Sequence, residues 1–251
     1  MVDGLARDVE GRPIGKFSRS RQRWMIHVLC AAGDGGSSRP SSAGRVTARH
    51  AGAVTEFFRD QHHFHQLGAR ARVLSARRST LRIWCCACGT GEDAYSAAMA
   101  LREAGCHGEI LATDADEDVL ATGRRGMYSF ASVAHVGEER LRRHFFVRGA
   151  EDVSRVALVR GELRAMVRFA RHDLRSGERP PGERFDFILC RDALPGLEGA
   201  ARRALLDGVA AALAPGGVLF LGQADSAGLR HPELVPCGRT AHERPPRPAD
   251  A

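Results

Sequence analysis

The sequence predicts an α/β protein: a mostly parallel sheet with crossover helices on its faces, a small antiparallel insertion and a short helical segment ahead of it. Three observations predict this. From residue 81 onward, short apolar strand-like runs alternate with helix-length segments, the pattern of parallel strands joined by helices. A glycine-rich turn, Ala87-Cys88-Gly89-Thr90-Gly91-Glu92, separates the first such strand from the first such helix. An acid, Asp114, ends the second strand 22 residues beyond Glu92.

The elements follow in order. Residues 1–53 read as a degenerate N-terminal helical segment and linker. A helix is expected around Ser20 to Cys30, with Trp24, Ile26, Val28 and Leu29 as its apolar residues, and residues 31–53 are Gly/Ser/Pro/Ala-rich without periodicity, which marks a linker. Thr55-Glu56-Phe57-Phe58-Arg59-Asp60 leads into a helix carrying Phe64 and Leu67. Leu81 to Cys86 is the first strand, residues 92–104 the first crossover helix, Glu109 to Thr113 the second strand and residues 116–124 the next helix. Val156 to Val159 and Leu163 to Val167 are expected to pair as a hairpin across Arg160-Gly161-Glu162, as an insertion on the sheet edge. Val167 to Ala170 and Arg184 to Cys190 are the third and fourth strands. An Ala/Leu-rich helix over residues 198–214 is expected to stop at Pro215-Gly216-Gly217, before a fifth strand from Val218 to Gly222. The Pro-, Arg- and Glu-rich tail is expected to be disordered.

Composition narrows the function classes. Of 251 residues, 43% are hydrophobic and 27% charged, which excludes a wholly disordered chain, a collagen or a coiled coil. No run approaches the ~20 apolar residues of a membrane span. The opening MVDGLARDVEGRP carries acids and no apolar run, so no secretory signal is expected. The net charge of +7 points toward nucleic acid. However, Lys16 is the sole lysine, and the arginines are scattered without interleaved aromatics, so no nucleic-acid partner is expected. Seven cysteines form no disulfide framework, and reduced thiols in a cytoplasm are expected.

Several residues invite chemistry. Glycines at a strand-to-helix turn let a ligand approach the backbone, and the helix start offers free N–H groups. Asp114 stands where a nucleotide-type fold places the acid that binds ribose hydroxyls; an N-cap for the following helix is the other reading. Cys85-x-x-Cys88 reads as a redox pair, as half a zinc site, or as small residues packing a buried strand, the last being favoured because no second pair exists. His62, His63 and His65 resemble a metal tract but read better as a solvated helix face, and no metal site is expected. Phosphate-loop lysines, HExxH and GxSxG are absent. Arg191 and Asp192 end the fourth strand, and His172-Asp173-Leu174 follow the third. These positions face the crevice at the carboxyl ends of the strands, although Asp173 and Asp192 also suit loop capping.

Taken together, the segments resemble the chemotaxis receptor methyltransferases of the CheR type. Thr55 to Asp60 is similar to the family's T-x-F-F-R-D. Ile83 to Ser96 is similar to I-W-S-A-x-x-S-T-G-E-E-P-Y-S, and Ala112-Thr113-Asp114-Ala115-Asp116 to A-T-D-I-D. Gly126-Met127-Tyr128, Arg140 to Phe146, Phe185 to Arg191 and Leu213 to Gly222 complete the series, which covers about residues 54–226.

The resemblance implies a Rossmann-like class I S-adenosylmethionine methyltransferase sheet over residues 54–231, with a β-subdomain at about 144–168 and a disordered tail at 232–251. It implies S-adenosyl-L-methionine as cofactor and S-adenosylhomocysteine as product. The donor would be surrounded by Thr55, Arg59, Ala87, Gly89, Gly91, Glu92, Asp114, Asp173, Leu174, Arg191 and Asp192, with Arg59 catalytic. The implied reaction is O-methylation of glutamate side chains in the cytoplasmic domain of a methyl-accepting chemoreceptor, by a cytoplasmic monomer. There are departures: the family's C-R-N-x-x-I-Y-F is Cys190-Arg191-Asp192-Ala193-Leu194-Pro195-Gly196-Leu197, and its G-H-S-E is Gly222-Gln223-Ala224-Asp225. They leave open a catalytically impaired, cofactor-binding regulatory protein, or a methyltransferase retargeted to a small molecule or RNA.

Overall fold

The computed structural model describes residues 56–149, 155–176, 184–194, 197, 199–227 and 229–246. The expected helix at Ser20 to Cys30, the linker 31–53, Thr55, Pro195 and Gly196 lie outside the described residues.

Helix α1 (Gln61–Ser75) buries His63, Phe64, Leu67, Gly68 and Ala71, one stripe at helical spacing. Strand β1 (Leu81–Cys86), helix α2 (Glu92–Glu103), strand β2 (Gly108–Asp114) and helix α3 (Glu117–Arg125) follow. Helix α3 has clear boundaries: the Asp116 side chain caps it by accepting from Asp118 N–H, and Gly126 ends it at φ 61°. Strand β3 (Met127–Ser129), short helices α4 (Phe130–Val133) and α5 (Glu138–His144), strands β4 (Phe145–Arg148) and β5 (Val156–Val159), and helix α6 (Gly161–Met166) form the middle of the chain. Strands β6 (Val167–Arg171) and β7 (Phe185–Cys190), helix α7 (Gly199–Ala212), strand β8 (Leu213–Leu221), helix α8 (Gln223–Ser226) and strands β9 (Val235–Gly238) and β10 (Ala241–Glu243) complete it.

Among the described residues, seven strands form one sheet in the order β6-β2-β1-β7-β8-β10-β9. The first five run parallel, and β10 and β9 add an antiparallel edge. The six residues of β7 are all buried, as expected for a parallel strand covered on both faces. The cores on the two faces divide strictly by alternation: Ile83, Cys85, Phe187 and Leu189 pack on one side, and Trp84, Cys86, Ile188 and Cys190 on the other. The chain winds from β1 outward through β2, then crosses back to β7 beside β1. The order therefore reverses between β1 and β7, and the crevice at their carboxyl ends is the switch point where such sheets bind ligands.

Four expectations require correction. The hairpin across Arg160-Gly161-Glu162 does not form. Gly161–Met166 is helical, and β5 instead pairs antiparallel with both β3 and β4. Ladder partners far along the chain thus outweigh the local turn. The small sheet recruits Met127–Ser129 from well before the expected insertion. Helix α7 ends at Ala212, and β8 already includes Pro215-Gly216-Gly217. A register shift lies at this point, between the β7 partners Phe185 and Phe187, and such an irregularity accommodates Pro and Gly in a strand. Within the tail expected to be disordered, β9 and β10 extend the sheet, with Ala241 paired to Phe220 and fully buried. Its polar composition concealed the backbone pairing that an open sheet edge offers.

Candidate functional site

The carboxyl end of β1 runs into the glycine turn. Ala87 (φ 49°), Gly89 (φ 54°) and Gly91 (φ 96°) all lie in the left-handed region. Gly91 is doubly constrained, because a Cβ there would stand 2.8 Å from Phe169 Cζ. The turn is tied inward by Cys88 N–H donating to the Thr113 carbonyl at 2.9 Å. Gly89 N–H donates to Asp114 Oδ2 at 2.9 Å, and Asp116 N–H donates to Asp114 Oδ1 at 3.0 Å. Asp114 is 2% exposed, so its carboxylate locks the turn to the end of β2. The N-cap reading of Asp114 fails, because Asp116 caps the following helix; Asp114 instead braces the loop at the switch point. Glu92, at the first position of α2, is buried and accepts from the Thr90 hydroxyl.

Beyond β6, His172 N–H donates to the Asp114 carbonyl at 2.9 Å, and its ring lies 6.0 Å from that of Trp84. His172 Nε2 is buried with no hydrogen-bond partner among the described residues. Asp173 is clasped by Arg175 through Nε and Nη2, both at 3.1 Å. Those hydrogen bonds hold its carboxyl below the usual range. Leu174 begins a single 3₁₀ turn and packs against the core that holds Trp84 and Ile188.

Arg191, directly after β7, is the hub of a second cluster. It is 4% exposed. Its Nη1 donates to the Arg59 carbonyl at 2.9 Å and to Asp93 Oδ1 at 2.8 Å, and its Nη2 donates to Asp60 Oδ2 at 3.0 Å. The Glu56–Asp60 segment is thereby held over the carboxyl end of the sheet. Phe58 N–H donates to Ser96 Oγ at 2.9 Å. Phe57 is fully buried, with its ring 4.9 Å from Tyr128 and 5.4 Å from Phe145 of the small sheet. Burial pushes the Asp93 carboxyl up to about 6, against the opposing pull of Arg191 and Arg59.

Arg59 forms an ion pair with Asp192. Burial lowers its basicity, but the hydrogen bond and charge of Asp192 outweigh that and raise it above the ordinary value. Asp192 has φ 56°, a conformation that Asp and Asn tolerate best among non-glycine residues. The fully buried Asp225 holds it there. Asp225 Oδ2 accepts from Asp192 N–H at 2.6 Å, and Oδ1 accepts from Leu194 N–H at 2.9 Å. Gly222 permits this approach, since a Cβ would lie 2.7 Å from Asp225 Oδ2.

The structure thus brings Ala87, Gly89, Gly91, Glu92, Asp114, Arg59, Arg191 and Asp192 to one end of the sheet, with Asp173 and Leu174 just beyond β6. Sequence reasoning placed His172 in this region but missed Asp60, Asp93 and Asp225 as parts of the arrangement. For Asp60 a signal existed, since it ends the aromatic-Arg-Asp segment; for the others there was none.

The cysteine and histidine motifs resolve differently. Cys85 and Cys86 face opposite cores, and Cys85, Cys86 and Cys88 are buried free thiols whose burial raises their pKa. They pack the strand and turn. The solvated-face reading of the histidines fails for His63, which is 1% exposed. Its Nε2 meets Thr240 Oγ1 at 2.6 Å, and its ring lies 5.2 Å from Phe220. The β10 edge that covers it was invisible as sequence pattern. Among the described residues, no group of three or more His, Cys, Asp or Glu side chains is placed to hold a metal ion.

The donor set suits a nucleoside-bearing cofactor. A buried carboxylate ends β2, an N–H-rich turn opens α2, and an orphaned imidazole nitrogen lies beside them. A parallel sheet with this glycine turn and acid at its switch point defines a nucleotide-type cofactor-binding α/β protein. The chain belongs to the CheR methyltransferase family: residues 53–240 match the family described as CheR methyltransferase, SAM binding domain. S-adenosylmethionine is accordingly its cofactor. Chemotaxis protein methyltransferase 2 of Pseudomonas aeruginosa is 34% identical over 177 residues, covering 69% of this chain and 63% of that protein. The chemotaxis protein methyltransferase of Escherichia coli K12 is 32% identical over 177 residues, covering 69% and 60%. An uncharacterized 104.1 kDa protein of Rhodobacter capsulatus is 34% identical over 183 residues, which is 18% of its length. The chain spans about three fifths of the first two relatives. No helix among the described residues is long and apolar enough to cross a membrane.

Proposed function

We propose that this protein transfers a methyl group from S-adenosylmethionine to glutamate side chains in the cytoplasmic domain of a methyl-accepting chemoreceptor, and that it works in the cytoplasm. The observation that carries the reading is the placement of Arg59. The Arg191 clasp suspends it over the carboxyl ends of β1 and β7, beside the glycine turn and Asp114. The cofactor, when bound, supplies an electrophilic sulfonium methyl. The chain's own residues supply position and charge. Gly89, Gly91, Glu92 and Asp114 would hold the nucleoside, with Ala87, Asp173, Leu174, Arg191, Asp192 and, outside the described residues, Thr55 around it. A glutamate carboxylate is already ionised at neutral pH, so no general base is required, and orientation provides the main contribution. Arg59 would be the catalytic group, orienting the attacking carboxylate.

The test has two readouts. S-adenosylhomocysteine binding is measured by calorimetry on the wild type and on Asp114→Ala, and binding is expected to disappear in the variant. Labelled methyl transfer to a chemoreceptor cytoplasmic fragment is measured with Arg59→Ala, which is expected to lower kcat by about 100-fold. A folded wild type that binds the cofactor product but labels no receptor fragment would sink the substrate assignment.

A further inference from the structure

The guanidinium groups at this site are already spoken for. Arg191 spends both terminal nitrogens on Asp60, Asp93 and the Arg59 carbonyl. Arg59 spends Nη2 on Asp192. An incoming carboxylate therefore meets guanidinium groups already paired with carboxylates, and it also meets the charges of Asp60, Asp93 and Asp192. An acidic side chain arriving here therefore competes with these carboxylates for the guanidinium charge.

The pairs differ in how readily they open. Arg191 is buried, with only 3% of its side chain exposed, and releasing it would strand a guanidinium away from water. Arg59 and Asp192 have side chains 33% and 43% exposed. Water reaches both partners, so this pair is weak and exchangeable. The Asp192 backbone is held in the left-handed region by the buried Asp225, which grips the N–H groups of residues 192 and 194. The backbone from which the Asp192 side chain reaches Arg59 is thereby fixed.

We infer that the Asp192 carboxylate is a built-in competitor, engaging on Arg59 the charge that a substrate carboxylate would use. Asp192 is thus a specificity-determining residue that sets how acidic or abundant a substrate must be to open the site. The inference rests on the proposed carboxylate substrate, but the competition itself is testable without a methyl acceptor. Asp192→Asn keeps the size and the tolerance for positive φ while removing the charge.

Acetate serves as the carboxylate probe, and the Arg59 Nε–H resonance, assigned with Arg59→Lys, is the reporter. Asp192→Asn is expected to shift this resonance and make it respond to acetate at concentrations about two- to fivefold lower than in the wild type, the factor an exposed pair commands. In methyl transfer to a chemoreceptor cytoplasmic fragment, the same variant is expected to lower KM by a similar factor. S-adenosylhomocysteine affinity is measured alongside. An equal acetate response in both proteins, or a change confined to S-adenosylhomocysteine affinity, overturns the inference. If neither protein labels any fragment, the proposed substrate fails, while the acetate titration still decides the competition.

Discussion

The glycine turn and the Arg191 clasp lie at the same end of the sheet but are built in opposite ways. The turn is local. Its shape comes from three consecutive-range left-handed residues, 87, 89 and 91, and from the hydrogen bonds of one carboxylate, Asp114. The clasp is long-range. It joins Arg191 to Asp60 across 131 positions and to Asp93 across 98, through charges rather than through backbone shape. A cofactor pocket can be encoded in a short stretch because backbone N–H groups supply its chemistry. A site for a second, charged reactant needs side chains from several strand ends, and only the completed sheet brings those together.

The comparison can be broken at its strongest point by Arg191→Met. Two carboxylates and a carbonyl would lose a buried donor, and about 3–5 kcal/mol of stability should go with it. Urea denaturation measures this. A loss below about 1 kcal/mol would mean that the clasp is ornamental and that the aromatic contacts of Phe57 and Phe58 hold the segment alone. Gly91→Ala tests the local side. The φ of 96° and the Phe169 contact predict a loss of about 2–3 kcal/mol, together with loss of S-adenosylhomocysteine binding. If Gly91→Ala binds normally, the turn is less shape-dependent than its geometry indicates.

The smallest effect concerns pH. Burial lowers the His63 pKa to about 3, from 6.5. The neutral folded form is therefore favoured, and its contribution is fully present above about pH 6.5. As pH falls from there toward 3, the unfolded chain binds a proton that the folded chain refuses, and stability is lost. The slope is ~1 kcal/mol per pH unit at its steepest. His63→Gln should flatten the acid limb by that amount in denaturation series from pH 7 to pH 4. An unchanged slope would show that His63 titrates freely and that the β10 edge does not seal it.

The sequence by itself determined the main parallel strands, the crossover helices, the glycine turn and Asp114. Each depends on neighbours within a few residues or on alternation along one strand, and such patterns survive in one dimension. It also carried Arg191 and Asp192, because strand ends in a doubly wound sheet share one crevice, whereas Arg59 came only from the family resemblance of its segment. Only the tertiary structure decided who pairs with whom. It placed Met127–Ser129 beside β5, turned residues 161–166 into a helix, laid β9 and β10 on the sheet edge, and buried His63 beneath Thr240. It alone linked Asp225 to Asp192 and Asp192 to Arg59. Pairing between distant segments is a competition among many partners of similar local propensity, and the winner is set by global packing and burial, which no short window of sequence contains.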